Sequence, residues 1–257
     1  MATIDLAGIS LDLWESGEGP PLLFLHGGAG FRRDSRYLAL LGEHRRIIAP
    51  SHPGFGVSSL PDWIDRPEDI AHVYLNLLDR LGPAPIDMVA NSFGGWIGLE
   101  LASMVPEKFG KLVLVAPVGV KFGSRETLDF PDAFALPAAT LEKLAYHEPE
   151  RFRVDPATMT DDELTVMLRN RETFALLCWE PYLHNPKLRH RLHRVTNPAL
   201  LLRGEHDGLV SADYMDGYAK LLPNARTLTL PRAGHQPQIE TPEAFANAAL
   251  AFLNGEA

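Results

Sequence analysis

The sequence predicts an α/β protein: a mostly parallel central sheet flanked by helices, with a helical insertion late in the chain. Three observations predict it. Short apolar runs rich in Val, Ile and Leu alternate with longer runs whose apolar residues recur at helical spacing, as βαβ units require. Several of the apolar runs pass straight into glycine-bearing loops, as in "LLFLHGG" (22–28) and "LLLRGEHDG" (200–208). The alternation then fails over residues 120–195, which are rich in Pro, Arg, His and Glu.

Each element has its own reason. Residues 3–6 and 9–14 alternate apolar and polar and open the chain as two short strands, with "ESGEGPP" turning after them. "LLFLHGG" is a buried strand running into glycines, and "RRIIAPSHPGFG" (45–56) a second one followed by a Gly/Pro-rich loop. "PEDIAHVYLNLLDRLG" (67–82) begins with Pro and acidic residues and ends in Gly, the punctuation of a helix. Ile86–Val89 is a strand, and "FGGWIGLELASMV" (93–105) is a helix stopped by Pro106. "KLVLVAPVG" (111–119), "PALLLRG" (198–204) and "ARTLTLP" (225–231) are further strands, with helices at 211–223 and 242–254 beside the last two. Residues 120–195 carry helical patches at 140–146 and 161–179 and no apolar run fit for a buried strand. The expected organisation is a core of 1–119 and 196–257 interrupted by a helical unit of 120–195.

Bulk properties exclude several classes of function. A chain of 257 residues with 46% hydrophobic content can bury a substantial core. A net charge of −9 disfavours nucleic acid or an anionic membrane surface as the main partner, leaving a small molecule. The start, "MATIDLAGISLDL", lacks a basic region followed by a long apolar run, and no stretch approaches the roughly 18 apolar residues of a membrane span. Cys178 is the only cysteine, so no internal disulfide can form and a reducing, cytoplasmic setting is expected. A homo-oligomer is left open. No metal is expected, because His184, His190 and His193 lack zinc spacing and lie among arginines.

The chemistry centres on "VANSFGGWIG" (89–98). Ser92 stands at a strand-to-helix corner with no loop residues to spare, between Ala90 and Gly94, which give the tight turn room. Among ten serines only this one has small residues two positions before and after it. Alone it could equally be a helix N-cap. A nucleophilic Ser needs a base and an acid that orients the base. Asp207 lies just past the 200–203 strand and His235 in the loop after the next one, both at the sheet edge where Ser92 sits. Asp207 lies further into its loop than Glu205, which follows Gly204 directly and is expected to face the sheet end or solvent. The backbone N–H of Phe93, at a helix start, and of Gly28, where no Cβ obstructs close approach, are the expected oxyanion donors. His26 reads as a structural loop residue.

"FLHGGAG", "PSHPGFGVSS", "VANSFGGWIG", "LLRGEHDGLV" and "AGHQPQIETPEAF", in this order, resemble the α/β-hydrolase superfamily. The resemblance covers nearly the whole core and puts 120–195 in the usual cap position. It implies the α/β-hydrolase fold, a triad in the order Ser92, Asp207, His235, and no cofactor. The Asn before the nucleophile and the Gly-Gly after it look most like the meta-cleavage-product hydrolases, which hydrolyse carbon–carbon bonds in ring-opened aromatic compounds. Carboxylesterases and enol-lactone hydrolases are close in pattern. Three departures stand out. Ala90 replaces the first elbow glycine, Ser51 stands where many relatives carry Asp, and Gln236 follows His235 where carbon–carbon hydrolases often have Trp.

For a carbon–carbon substrate, cationic groups near its carboxylate are needed, and Arg169 and Arg171 are the candidates, beside Asn91 and Trp179. Each has a plainer reading: arginines on a helix are commonly solvated, and Trp179 and Phe174 can simply pack the insertion. A non-catalytic binding protein on this fold would lose a member of the triad. A perhydrolase or haloperoxidase would keep it but lack so long an insertion. A dehalogenase or epoxide hydrolase would need a carboxylate at position 92.

Overall fold

A computed structural model describes residues 2–256. Eight strands form one sheet in the order β1-β2-β4-β3-β5-β6-β7-β8. The chain runs β1 (Ala2–Leu6), β2 (Ile9–Ser16), β3 (Pro21–Leu25), α1 (Arg36–Gly42), β4 (Arg46–Pro50), α2 (Pro67–Leu81), β5 (Ile86–Asn91), α3 (Phe93–Met104) and β6 (Phe109–Val115). After β6 come α4 (Ala138–Ala145), α5 (Pro149–Phe152) and α6 (Asp161–Cys178). The sheet resumes with β7 (Ala199–Gly204), α7 (Ala212–Leu221), β8 (Ala225–Leu230), α8 (Pro237–Glu240) and α9 (Pro242–Asn254). β1 and β2 pair antiparallel, β2 pairs antiparallel with β4, and every later neighbour is parallel.

The period of two along each buried strand splits the core into two layers. Leu23 and Leu25 of β3 and Met88 and Ala90 of β5 face the layer holding α2, α3 and α7. Leu22, Phe24 and Val89 face the other, packed by Tyr37, Leu38 and Leu41 of α1 and by Phe245, Ala249 and Phe252 of α9. Covering both faces is what a parallel sheet requires, and it explains why these strands read as continuous apolar runs.

α1 is an element the sequence reading did not anticipate. It has no Pro or acidic residue in its first turn and no basic residue in its last, so punctuation gave no signal; its apolar face against α9 and the sheet holds it. Between β6 and β7 the described residues contribute no sheet strand, only an isolated bridge between Gly119 and His184. No helix among the described residues is long and apolar enough to cross a membrane.

Because β3 to β8 run parallel, the loops after β3, β5, β7 and β8 open at one edge. That edge gathers residues from 26 to 28, 92, 207 and 235, the position where ligands bind open α/β sheets.

Candidate active site

Ser92 is held at φ 48° and ψ −110° between β5 and α3. A residue with a Cβ in that region stores about 1–3 kcal/mol of strain and persists only where its surroundings fix it. They do so here. Ser92 N donates to Val115 O at 2.8 Å, and Ser92 O accepts from Trp96 N in the first turn of α3. Gly94 lets the elbow close: a Cβ there would lie 2.4 Å from the carbonyl oxygens of Leu25 and His26.

His235 Nε2 stands 3.0 Å from Ser92 Oγ, and His235 Nδ1 stands 2.9 Å from Asp207 Oδ2. The acid is itself fixed. Asp207 Oδ1 accepts from Leu209 N at 2.9 Å and Val210 N at 2.8 Å, and its side chain is fully buried. With both N–H donors on Oδ1, Oδ2 is left to the imidazole. Burial pushes the His235 imidazole down, the charge and hydrogen bond of Asp207 push it up, Glu240 adds to the rise, and the net direction is up. Glu205 lies half exposed, beside His206.

Phe93 begins α3, so its N–H lacks an intrahelical acceptor, and Gly28 lies in the loop after β3. One aromatic side chain touches both. A Cβ on Gly28 would lie 2.8 Å from the Phe174 ring, and the same ring packs edge-on against Phe93 at 5.4 Å. Phe174 therefore packs against both residues. Phe134, Trp179 and Tyr182 extend this aromatic cluster away from the site.

The loop carrying Gly28 rests on a buried pair of imidazoles. His52 N donates to His26 Nε2 at 3.0 Å, and His52 Nε2 donates to His26 O at 2.9 Å. Tyr74 Oη reaches His52 Nδ1. Burial drives the His26 pKa down to about 4 and that of His52 well below its usual value, so both stay neutral. His26 is structural, as expected.

The other expected substrate residues differ in their surroundings. Arg169 Nη1 and Nη2 donate to the backbone carbonyls of Gly56 and Ser58 at 3.1 and 2.6 Å. Arg169 thus fastens α6 to the loop after β4. Arg171 is exposed, and Trp179 is 62% exposed, at the edge of the aromatic cluster. Asn91 is different. It is buried, directly before Ser92 in the chain, and its Oδ1 has no hydrogen-bond partner. A buried acceptor without a donor costs about 1–3 kcal/mol. No group of three or more His, Cys, Asp or Glu side chains among the described residues is arranged to hold a metal.

Sequence reasoning missed the contacts that fasten the inserted helices to this edge. Asn170 of α6 donates to Ala29 O and accepts from Gly56 N, and Thr173 donates to Gly54 O. Residues 144–147 lie against the loops of Asp207 and His235. These pairs are dozens of residues apart and obey no local pattern. The only trace in the sequence is the run of small residues in the loops they touch.

The model of the alpha/beta hydrolase family matches residues 22–248. A 2-hydroxymuconate semialdehyde hydrolase of Pseudomonas putida is 30% identical over 96% of this chain and 92% of its own length. A 2-hydroxy-6-oxo-2,4-heptadienoate hydrolase of Pseudomonas putida is 27% identical over 97% of this chain and 94% of its own. Among solved structures, a serine hydrolase from the polyaromatic-hydrocarbon-degrading bacterium Cycloclasticus zankles superposes with a TM-score of 0.81 at 24% identity, covering 99% of this chain and 98% of that one.

Proposed function

The chain belongs to the alpha/beta hydrolase family, and from that premise we propose that it works through a Ser92–His235–Asp207 triad. We further propose that its substrate is a small ring-opened product of aromatic degradation, cleaved at a carbon–carbon bond beside a ketone. One observation carries the triad: the unbroken line of hydrogen bonds from Asp207 through His235 to Ser92, at 2.9 and 3.0 Å. Two observations support the substrate. Relatives matched nearly end to end include hydrolases named for 2-hydroxymuconate semialdehyde and for 2-hydroxy-6-oxo-2,4-heptadienoate. Asn91 Oδ1 is a buried acceptor directly before the nucleophile in the chain, suited to the enol hydroxyl of a 2-hydroxy dienoate.

In this reading His235 takes the Ser92 proton as Oγ attacks the carbonyl carbon. Asp207 holds the imidazole with Nδ1–H toward itself and stabilises the cation that forms. The N–H groups of Phe93 and Gly28 receive the oxyanion. On collapse, His235 gives its proton to the leaving group. Water, deprotonated by His235, then attacks the acyl-Ser92 carbonyl and releases the acid. A carbon leaving group departs only once the dienol has become its keto form, so ketonisation precedes cleavage, and in this reading Asn91 holds that enol. Residues 120–195 serve as the cap over this edge, with Phe174 limiting the space beside the oxyanion.

A second reading, a carboxylesterase or enol-lactone hydrolase, has its own support. Gln236 follows the base and its Nε2 bonds Tyr146 Oη at 2.8 Å, and Arg169 donates to two backbone carbonyls. Comparing kcat/KM for a ring-fission dienoate and a short aryl ester separates the two. If the dienoate is the substrate, Asn91→Ala is expected to cost about 1–3 kcal/mol, roughly one to two powers of ten, on the dienoate and little on the ester. Arg171→Ala is expected to change neither by more than about twofold, as for other exposed side chains. Equal losses on both substrates in Asn91→Ala would move the enzyme into the esterase reading.

The pH profile tests the base. Only neutral His235 can take a proton, and its pKa is raised above 6.5. Activity should therefore rise through a midpoint above 6.5, as measured by kcat/KM where chemistry limits turnover. Stability runs the other way. The part of folding stability that comes from the His235–Asp207 pair is fully present below the unfolded value of 6.5 and is lost as pH rises through the higher folded value. A midpoint below 6.5, or a flat profile, would count against this base.

A further inference from the structure

The end of α4 and the residues just after it lie against both the loop of the acid and the loop of the base. Gly208 N donates to Leu144 O at 2.9 Å and His235 N to Ala145 O at 2.7 Å. The Gln236 amide donates to Tyr146 Oη. Glu240 closes the junction. It is 7% exposed, its Oε1 accepts from Gly234 N and its Oε2 from His147 N, both at 2.7 Å. The base loop is shaped for this contact, because a Cβ on Gly234 would stand 2.4 Å from Ala145 O.

We propose that Glu240 is the positioning residue of the base: its carboxylate ties the loop of His235 to residues 144–147 of the insertion and sets a second negative charge near the imidazole, beyond Asp207. The inference rests on His235 being the base. The peptide N–H of His235 is held from the insertion by Ala145 O and the Gln236 amide by Tyr146 Oη, while the N–H of Gly234 is held by Glu240, whose other oxygen accepts from His147 N of the insertion. The ring must serve both Ser92 Oγ and the leaving group, so a loop free to shift would misplace every proton transfer. The sequence does not reveal this, since Glu240 and His147 are 93 residues apart.

The charges around the junction are few. Asp207 and Glu240 act on His235. His147, stacked on His206 at 3.9 Å, and Tyr146 lie against Glu240 from the insertion. On its open side Glu240 borders a cleft shared with Glu148, Arg151, Arg232 and Glu243. Burial pushes the Glu240 carboxyl up, while the N–H groups of His147 and Gly234 pull it back toward the ionised form they require.

The test measures kcat, KM, the pH profile and thermal unfolding for Glu240→Gln and Glu240→Asp on a short aryl ester or whichever substrate is turned over best, with Ser92→Ala as control. A glutamine offers one acceptor oxygen where two N–H groups need two, and it carries no charge. Glu240→Gln is expected to lower kcat about tenfold with KM within about twofold, and to move the midpoint of kcat/KM down by about half a pH unit or more. Glu240→Asp keeps the charge but is too short to bridge both N–H groups, so its kcat falls while its midpoint stays. A Glu240→Gln protein that unfolds earlier yet keeps the wild-type kcat and midpoint would make Glu240 a stability residue and overturn the proposal. If Glu240→Gln does not fold, a wild-type kcat in Glu240→Asp overturns it, as does failure of both variants to fold. An active Ser92→Ala enzyme would remove the triad reading itself, and the inference with it, whatever the Glu240 variants do.

Discussion

Ser92→Ala is expected to lower kcat by about 10⁵–10⁶ while leaving the fold in place, as removal of a triad nucleophile does in other serine hydrolases. The size follows from what the hydroxyl alone supplies. Ser92 Oγ is the atom 3.0 Å from His235 Nε2, and in the proposed mechanism it forms the acyl intermediate. His235, Asp207 and the Phe93 and Gly28 amides would remain, so a residual rate of about 10³–10⁴ over water from binding and the oxyanion donors is expected. The fold should survive because the backbone bonds of Ser92 to Val115 and Trp96 do not involve the side chain. Alanine also has a Cβ, so the strain at φ 48° is unchanged. Stability should shift by no more than about 1 kcal/mol, the value of one hydrogen bond. Thermal unfolding together with a burst experiment on a chromogenic ester measures both halves. A variant within tenfold of wild-type kcat would remove Ser92 from the nucleophile role.

Why this site could be read before the fold was seen, and its surroundings could not, has a physical reason. Buried parallel strands must be apolar on both faces, so β3, β5, β6 and β7 announce themselves as runs, and the residues just past their ends share an edge. That made Ser92, Asp207 and His235 legible together. Phe93 and Gly28 followed from the helix start and the glycine loop. α1 stayed hidden because a seven-residue helix without caps is held by its contacts with α9, and contacts leave no local pattern. The contacts of Arg169 stayed hidden for the same reason. A charged residue on an amphipathic helix looks free in sequence, yet this one donates to Gly56 and Ser58 carbonyls of a loop more than a hundred residues earlier. Glu240 went unseen because a Glu on a short helix after the base is unremarkable until its partners, Gly234 and His147, are brought to it.

Asp207→Asn is expected to cost about four powers of ten in kcat, and Glu205→Gln less than about threefold. The asymmetry comes from the way Asp207 is tied down. Its Oδ1 already accepts from Leu209 N and Val210 N. In the asparagine variant the amide oxygen must take that position, since an NH₂ group there would face two donors. The NH₂ group then occupies the place of Oδ2, 2.9 Å from His235 Nδ1, and donates to it. That bond fixes the imidazole with its proton on Nε2, pointing at Ser92 Oγ, so the base cannot accept the Ser proton. The geometry would be nearly unchanged and the tautomer wrong. The charge that stabilises the imidazolium would be lost as well, so the His235 pKa should fall and its titration move to lower pH. Glu205 makes no contact with the triad: it lies half exposed beside His206, and removing its charge leaves both nitrogens of His235 as they were. Steady-state kinetics on the two variants, with a pH titration of His235 by NMR, reads the tautomer and the charge separately. A Glu205→Gln enzyme more impaired than Asp207→Asn would transfer the acid role to Glu205.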